Sequence, residues 1–148
     1  MKNKQIYIVK KLDAPEHGTV HNVISDIVKA CKLLNCTISE HLTSTTAVIV
    51  VIGGDGTMMY GMRLSAEYQI PVLGFNIGKL GFLAEYSFDS VIETLALALN
   101  DTLTSESRSL LECQVSETQK VYAVNEFVFS PKYADKMIKY QFEVDGVF

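Results

Sequence analysis

Apolar positions along this chain change their period several times, and each change marks an element. Ile6 to Val9 is a short apolar run that predicts the first strand of a parallel sheet. Lys10 to Thr19, which carries Pro15 and Gly18, reads as a loop. Val20, Val23, Ile24, Ile27, Val28, Cys31 and Leu34 then recur at helical spacing, so a helix is expected that ends at Asn35 and Cys36. Thr37-Ile38 is a candidate short strand, and the Ser- and Thr-rich residues 39–46 form a connector. Ala47 to Ile52 is an unbroken, β-branched apolar run, the pattern of a strand buried on both faces. Gly53-Gly54-Asp55-Gly56-Thr57 follows at once, and a helix is expected to open after it and run to about Glu67. Ile70 to Asn76 is the next strand, with Pro71 at its start, where a missing donor is tolerated. Phe88 to Asn100 predicts a helix with Val91, Ile92, Leu95 and Leu99 on one face. Strands and helices alternating at these lengths imply right-handed βαβ units.

Past Thr102 the period shortens to two. Leu111, Cys113 and Val115 alternate with polar residues, and Val121 to Phe129 is a β-rich run interrupted by Asn125-Glu126. Ile138, Tyr140, Phe142 and Val144 alternate with Lys139, Gln141 and Glu143 before Asp145-Gly146 supplies a hairpin turn. The expected organisation is an α/β domain over residues 1–103 and an incomplete β-rich domain over 104–148, whose last strand lacks its return strand. A strand left without a partner exposes backbone donors and apolar side chains, so self-association into a homo-oligomer is expected.

Composition narrows the function classes. The chain has 148 residues, 48% of them hydrophobic and 20% charged, which is ordinary for a globular protein. A formal charge of −4 argues against a nucleic-acid footprint or an anionic-membrane binder. It does not argue against nucleotides, since backbone N–H groups and Mg²⁺ can hold phosphate. No apolar run reaches the length of a membrane span. Cys31, Cys36 and Cys113 are odd in number and contain no Cys-x-x-Cys pair, which with no signal peptide points to the cytoplasm; Cys31 is expected in the core.

The candidate chemistry sits at two glycine-bearing strand ends. A strand, a glycine turn and a helix N-terminus together form an anion site, because unpaired N–H groups and the helix dipole point at the turn. Asp55 lies in the middle of that turn, and a carboxylate there needs a purpose, such as accepting a proton or holding a cation. Asn76-Ile-Gly-Lys-Leu-Gly-Phe-Leu83 follows the next strand, where ligands bind in open α/β sheets. A dinucleotide fingerprint fails because Met59 stands where its third glycine belongs, and a Walker loop fails because Gly78-Lys79 is followed by Leu80. His17 and His21 have the spacing of a zinc pair but lack a neighbouring Glu and a third ligand, so a solvated pair is expected and no metal site. Asn125-Glu126 reads either as an exposed bulge or as polar groups that orient a ligand's hydroxyls.

Gly53-Gly54-Asp55-Gly56-Thr57 alone recurs in diacylglycerol-kinase-like and phosphofructokinase-like proteins. The combination with Gly74-Phe-Asn76-Ile-Gly78-Lys-Leu80-Gly81-Phe82-Leu83, Glu106-Ser-Arg108-Ser-Leu110-Leu111 and Val124-Asn125-Glu126 resembles NAD kinase over about residues 46–130. The resemblance implies a Rossmann-like, phosphofructokinase-like parallel-sheet domain followed by the start of an all-β domain. It implies phosphorylation of the adenosine-ribose 2′-hydroxyl of NAD by ATP, with Mg²⁺ carried in on ATP. Asp55 would contact the accepting ribose as general base. Gly53, Gly54, Gly56 and Thr57 would meet the phosphates, and Phe82, Asn125 and Glu126, with Asp55 and Gly56, would bind NAD. Asn76, Lys79 and Leu80 are further candidates in the same loop. Family members continue into a β-rich segment with a Thr-Pro-Thr-Gly-Ser-Thr-Ala-Tyr run that is not among these residues, so two alternatives stand. One is a non-catalytic nucleotide-binding remnant or regulator; the other is a lipid kinase, against which the Asn76–Leu83 stretch argues.

Overall fold

The computed structural model describes residues 4–11, 18–77, 81–84, 86–133 and 135–147. Five strands, β1 (Lys4–Lys10), β2 (Cys36–Ser39), β3 (Thr46–Gly53), β4 (Val72–Asn76) and β5 (Tyr86–Ser87), form one parallel sheet in the order β2-β1-β3-β4-β5. Helices α1 (Thr19–Leu34) and α3 (Val91–Leu99) cover one face and α2 (Asp55–Ser65) the other. The side-chain alternation of a strand explains how β3 serves both. Val48, Val50 and Ile52 meet Val23, Ile27 and Leu95 on one face, while Ile49 and Val51 meet Met58 on the other. Ile49 through Ile52 are fully buried, and each such side chain contributes about 1.5–3 kcal/mol by leaving water. That explains why this run, and not a shorter one, sits in the middle of the sheet.

Element ends follow local chemistry. Asn35 closes α1 in the left-handed conformation, φ 52°, which Asn tolerates, and its N–H bonds the Cys31 carbonyl. The chain is thereby turned straight into β2, so Cys36 is a buried strand residue and not a helix end. Pro71 precedes β4 instead of starting it, and its carbonyl accepts the Ile49 N–H at 2.9 Å. The helix expected from Phe88 begins with a 3₁₀ turn, Phe88–Ser90, before α3. Two positions assigned to apolar faces, Val28 and Ile92, lie at the surface, each at the margin of its helix's apolar stripe. Cys31 is buried as expected, and burial pushes its thiol pKa up to about 12.

The β-rich half differs more. β6 (Leu111–Ser116) and β7 (Gln119–Ala123) form an antiparallel hairpin. β7 stops at Ala123, so Asn125-Glu126 follows a strand instead of interrupting one, and residues 124–130 carry no strand. Leu111 and Val115 are exposed, leaving that face uncovered. The strand expected over 138–144 is not formed; only its turn is, with Val144 and Val147 bridged across Asp145 (φ 51°) and Gly146 (φ 80°). Positive φ at both turn residues is a local property that Asp-Gly supplies unaided. A strand needs a ladder partner, and among the described residues 138–143 has none. No helix among the described residues is long and apolar enough to cross a membrane.

Candidate active site at the carboxyl edge of the sheet

The site is built at the carboxyl ends of β3 and β4, next to the point where the strand order reverses. From β1 the chain builds outward to β2 on one side, then returns to β3, β4 and β5 on the other, so the switch point lies between β1 and β3. In open α/β sheets the crevice at that point, outside the carboxyl ends of the strands, is the binding position. Gly53 ends β3 and pairs in register with Asn76, which ends β4 and is buried, so the two glycine-bearing stretches lie side by side.

The turn is shorter than its sequence implied. Only Gly54 is non-helical, acting as N-cap with φ −102°, and Asp55 is the first residue of α2. Asp55 is therefore not in the middle of a loop, as its position between glycines had implied; a helix can open on it because an acidic residue in the first turn complements the dipole. The Gly54 carbonyl accepts the Met58 N–H at 3.0 Å, while the amides of the first turn have no intrahelical acceptor. A Cβ at Gly54 or Gly56 would meet nothing within 4 Å, so neither glycine is there to make room for a neighbour.

The Asp55 carboxylate reaches across to the segment after β4. Oδ2 accepts the Phe82 N–H at 3.0 Å and Oδ1 the Leu83 N–H at 3.1 Å. These bonds, the Phe82 amide first, hold the Asp55 carboxyl below the usual carboxylate range. Gly81 is what allows the approach, since any Cβ there would collide with the Asp55 carboxylate. Phe82 is 92% exposed, its ring held out from the edge by a backbone that Asp55 fixes. Lys79 and Leu80, with Gly78 and His17, lie outside the described residues. Thr57 is half-buried, its side chain lying where a Cβ on Gly53 would be.

Asn125 and Glu126 are brought against α2 by another route, and of the turn residues Gly56 alone lines the cavity they share. Met59, Tyr60 and Arg63 of α2, with Gly56, face Ala123 to Glu126 across a cavity of about 250 Å³. Sequence reasoning missed Tyr60 and Arg63, although 56, 59, 60 and 63 carry the i, i+3, i+4, i+7 spacing of one helix face. It also missed the tie from Asp55 to Leu83, which no local pattern announces. Among the described residues no group of three His, Cys, Asp or Glu could hold a metal ion.

Comparison with known proteins bears on the family. The family model for the ATP-NAD kinase N-terminal domain matches residues 7–103. The chain is 36% identical over 135 residues to the NAD kinase of Chromohalobacter salexigens, covering 86% of this chain and 46% of that protein. It is 37% identical over 113 residues to that of Azotobacter vinelandii, covering 74% of this chain and 38% of the relative. The chain thus spans less than half the length of these curated relatives. In fold it resembles yeast NADH kinase complexed with NADH, with TM-score 0.64 and 20% identity over 83% of this chain and 44% of the other. It likewise resembles an NAD kinase from Archaeoglobus fulgidus in complex with ATP, with TM-score 0.51 and 22% identity over 66% and 37% of the two chains. With the Gly-Gly-Asp-Gly-Thr turn, the loop it grips and this match over most of the α/β layers, the chain belongs to the NAD kinase family.

Proposed function

We propose that this chain is the nucleotide-handling part of an NAD kinase, transferring the γ-phosphoryl group of ATP to the adenosine-ribose 2′-hydroxyl of NAD. In that reaction an O–P bond forms to the ribose oxygen, the bond from the γ-phosphorus to its bridging oxygen breaks, and ADP leaves. The hydroxyl proton passes to a base, and Mg²⁺ enters with ATP as part of the substrate. The observation that carries the reading is the cavity in which Gly56 of the turn meets Asn125 and Glu126. Gly54 and Gly56 add to it. Their φ values are not positive and no packing demands them, which leaves close approach of a ligand to the protein backbone as the reason for glycine. The first-turn amides of α2 with Gly53, Gly54, Gly56 and Thr57 would face phosphate. Phe82, Asn125 and Glu126 would hold NAD, and Asn76, Lys79 and Leu80 are further candidates for the same ligand.

The Asp55 oxygens accept from the Phe82 and Leu83 amides, the Ala84 amide adds a weaker pull, and the lone pair that remains would meet the ribose hydroxyl. Its lowered pKa makes it an ionised acceptor at neutral pH, better suited to orient that hydroxyl than to keep its proton. In the proposed setting residues 1–103 form the phosphate-handling domain and 104–148 the opening of the NAD-binding one. The protein works in the cytoplasm as a homo-oligomer, consistent with its free cysteines and its uncovered β6–β7 face.

A coupled assay for NADP formed from NAD and Mg·ATP tests this. Asp55→Asn should lower the wild-type rate by on the order of 100-fold, since an amide no longer offers the reacting hydroxyl a charged acceptor. Equal rates would remove Asp55 from the reaction. The tie between Asp55 and the Phe82 loop also favours a second reading, a nucleotide-binding regulator without turnover. That reading predicts thermal stabilisation by NAD or ATP and no NADP.

A further inference from the structure

We propose that Arg63 holds the phosphate of a nucleotide whose ribose hydroxyls are held at Asn125 and Glu126. The inference rests on the nucleotide-binding reading above and extends it to a residue of the α2 surface. Arg63 lies two turns along α2 from Gly56, on the stripe that faces the 123–126 segment. At about 250 Å³ the cavity falls below the roughly 300–1,000 Å³ that encloses a whole small ligand, so it suits one unit of a dinucleotide.

The chemistry of the lining selects the unit. A guanidinium offers a planar fork of donors that matches phosphate oxygens. The Glu126 carboxylate accepts from hydroxyls, and the Asn125 amide can do either. An isolated phosphate would be repelled by Glu126, and a neutral sugar would make no use of Arg63. A ribose phosphate uses both. Among the described residues Arg63 forms no ion pair, although Glu126 shares its cavity and Glu67 follows one turn later. Its charge is thus not committed to holding α2 against β7. Tyr60, half exposed, lines the same space.

Titration calorimetry of the 148-residue chain with AMP and with adenosine, two probes differing only in phosphate, tests the proposal. Arg63→Gln should weaken AMP on the order of tenfold, the scale of a charge-assisted contact, and leave adenosine unchanged. Arg63→Lys should fall between, and added salt should narrow the gap between wild type and Arg63→Gln. Equal AMP affinity in wild type and both variants would overturn the proposal while leaving nucleotide binding intact. Equal weakening of AMP and adenosine would also overturn it, by giving Arg63 a packing role. If wild type binds neither probe, the proposal and the nucleotide reading fall together.

Discussion

Asp55 shows how one side chain can have a structural duty and still be available for chemistry. Its two oxygens are shared between the Phe82 and Leu83 amides, and that geometry needs a glycine at position 81. Asp55→Asn replaces one acceptor oxygen with an NH₂ that would face an N–H, so at least one of the two amides should exchange faster with solvent in that variant. Unchanged exchange at both would refute the tie. The pH dependence has a definite sign. The carboxyl pKa is lowered in the folded state, so the stabilisation is present above the ordinary value of about 4 and is lost as pH falls through the lower folded one. Amide shifts of Phe82 and Leu83 should therefore stay constant from neutral pH to about 4 and move only below it.

At the scale of elements, α2 lies directly on β3 because of Gly61. A Cβ there would come 2.5 Å from Val51 Cγ2, and Val51 is fully buried with a stiff, β-branched side chain that cannot swing aside. Glycine inside a helix costs about 1 kcal/mol relative to alanine, so Gly61 looks unfavourable from sequence alone. Overpacking costs about 1–3 kcal/mol, which is the larger effect. Gly61→Ala should accordingly destabilise the protein by about 1 kcal/mol in urea unfolding. Gly56→Ala in the same helix, where a Cβ meets nothing, should be neutral or stabilising by up to about 1 kcal/mol. Matching signs for the two would mean that α2 does not sit on β3 as described.

At the scale of the whole molecule, apolar surface is distributed unevenly. The five-stranded sheet is covered on both faces, whereas Val128, Phe129, Tyr140, Phe142 and Val144 are exposed and Met137 is 97% so. Apolar side chains left in water favour association. Sedimentation should show a concentration-dependent species larger than 16.4 kDa, and a monodisperse monomer at all concentrations would contradict this.

Much of the α/β layer was legible because its signals are local and agree with one another. The unbroken run Ala47–Ile52 implied burial on both faces, the spacing from Val20 to Cys31 implied α1, and the Asp145-Gly146 turn formed where its residues dictate. The motifs around Asp55, Asn76 and Asn125 also identified the family. The rest depended on contacts between residues far apart in the chain. The strand expected over 138–144 carries a correct pattern yet lacks a partner, and a ladder is a property of two segments. Asp55 was read as a turn residue because only its neighbours were visible, and the amides of Phe82 and Leu83 that bind it arrive by way of β4. Gly61 looked like a defect until Val51 came up beneath it. Periodicity and turn chemistry are thus written along the chain, while close approach, strand pairing and the setting of a charge exist only once the chain has folded back on itself.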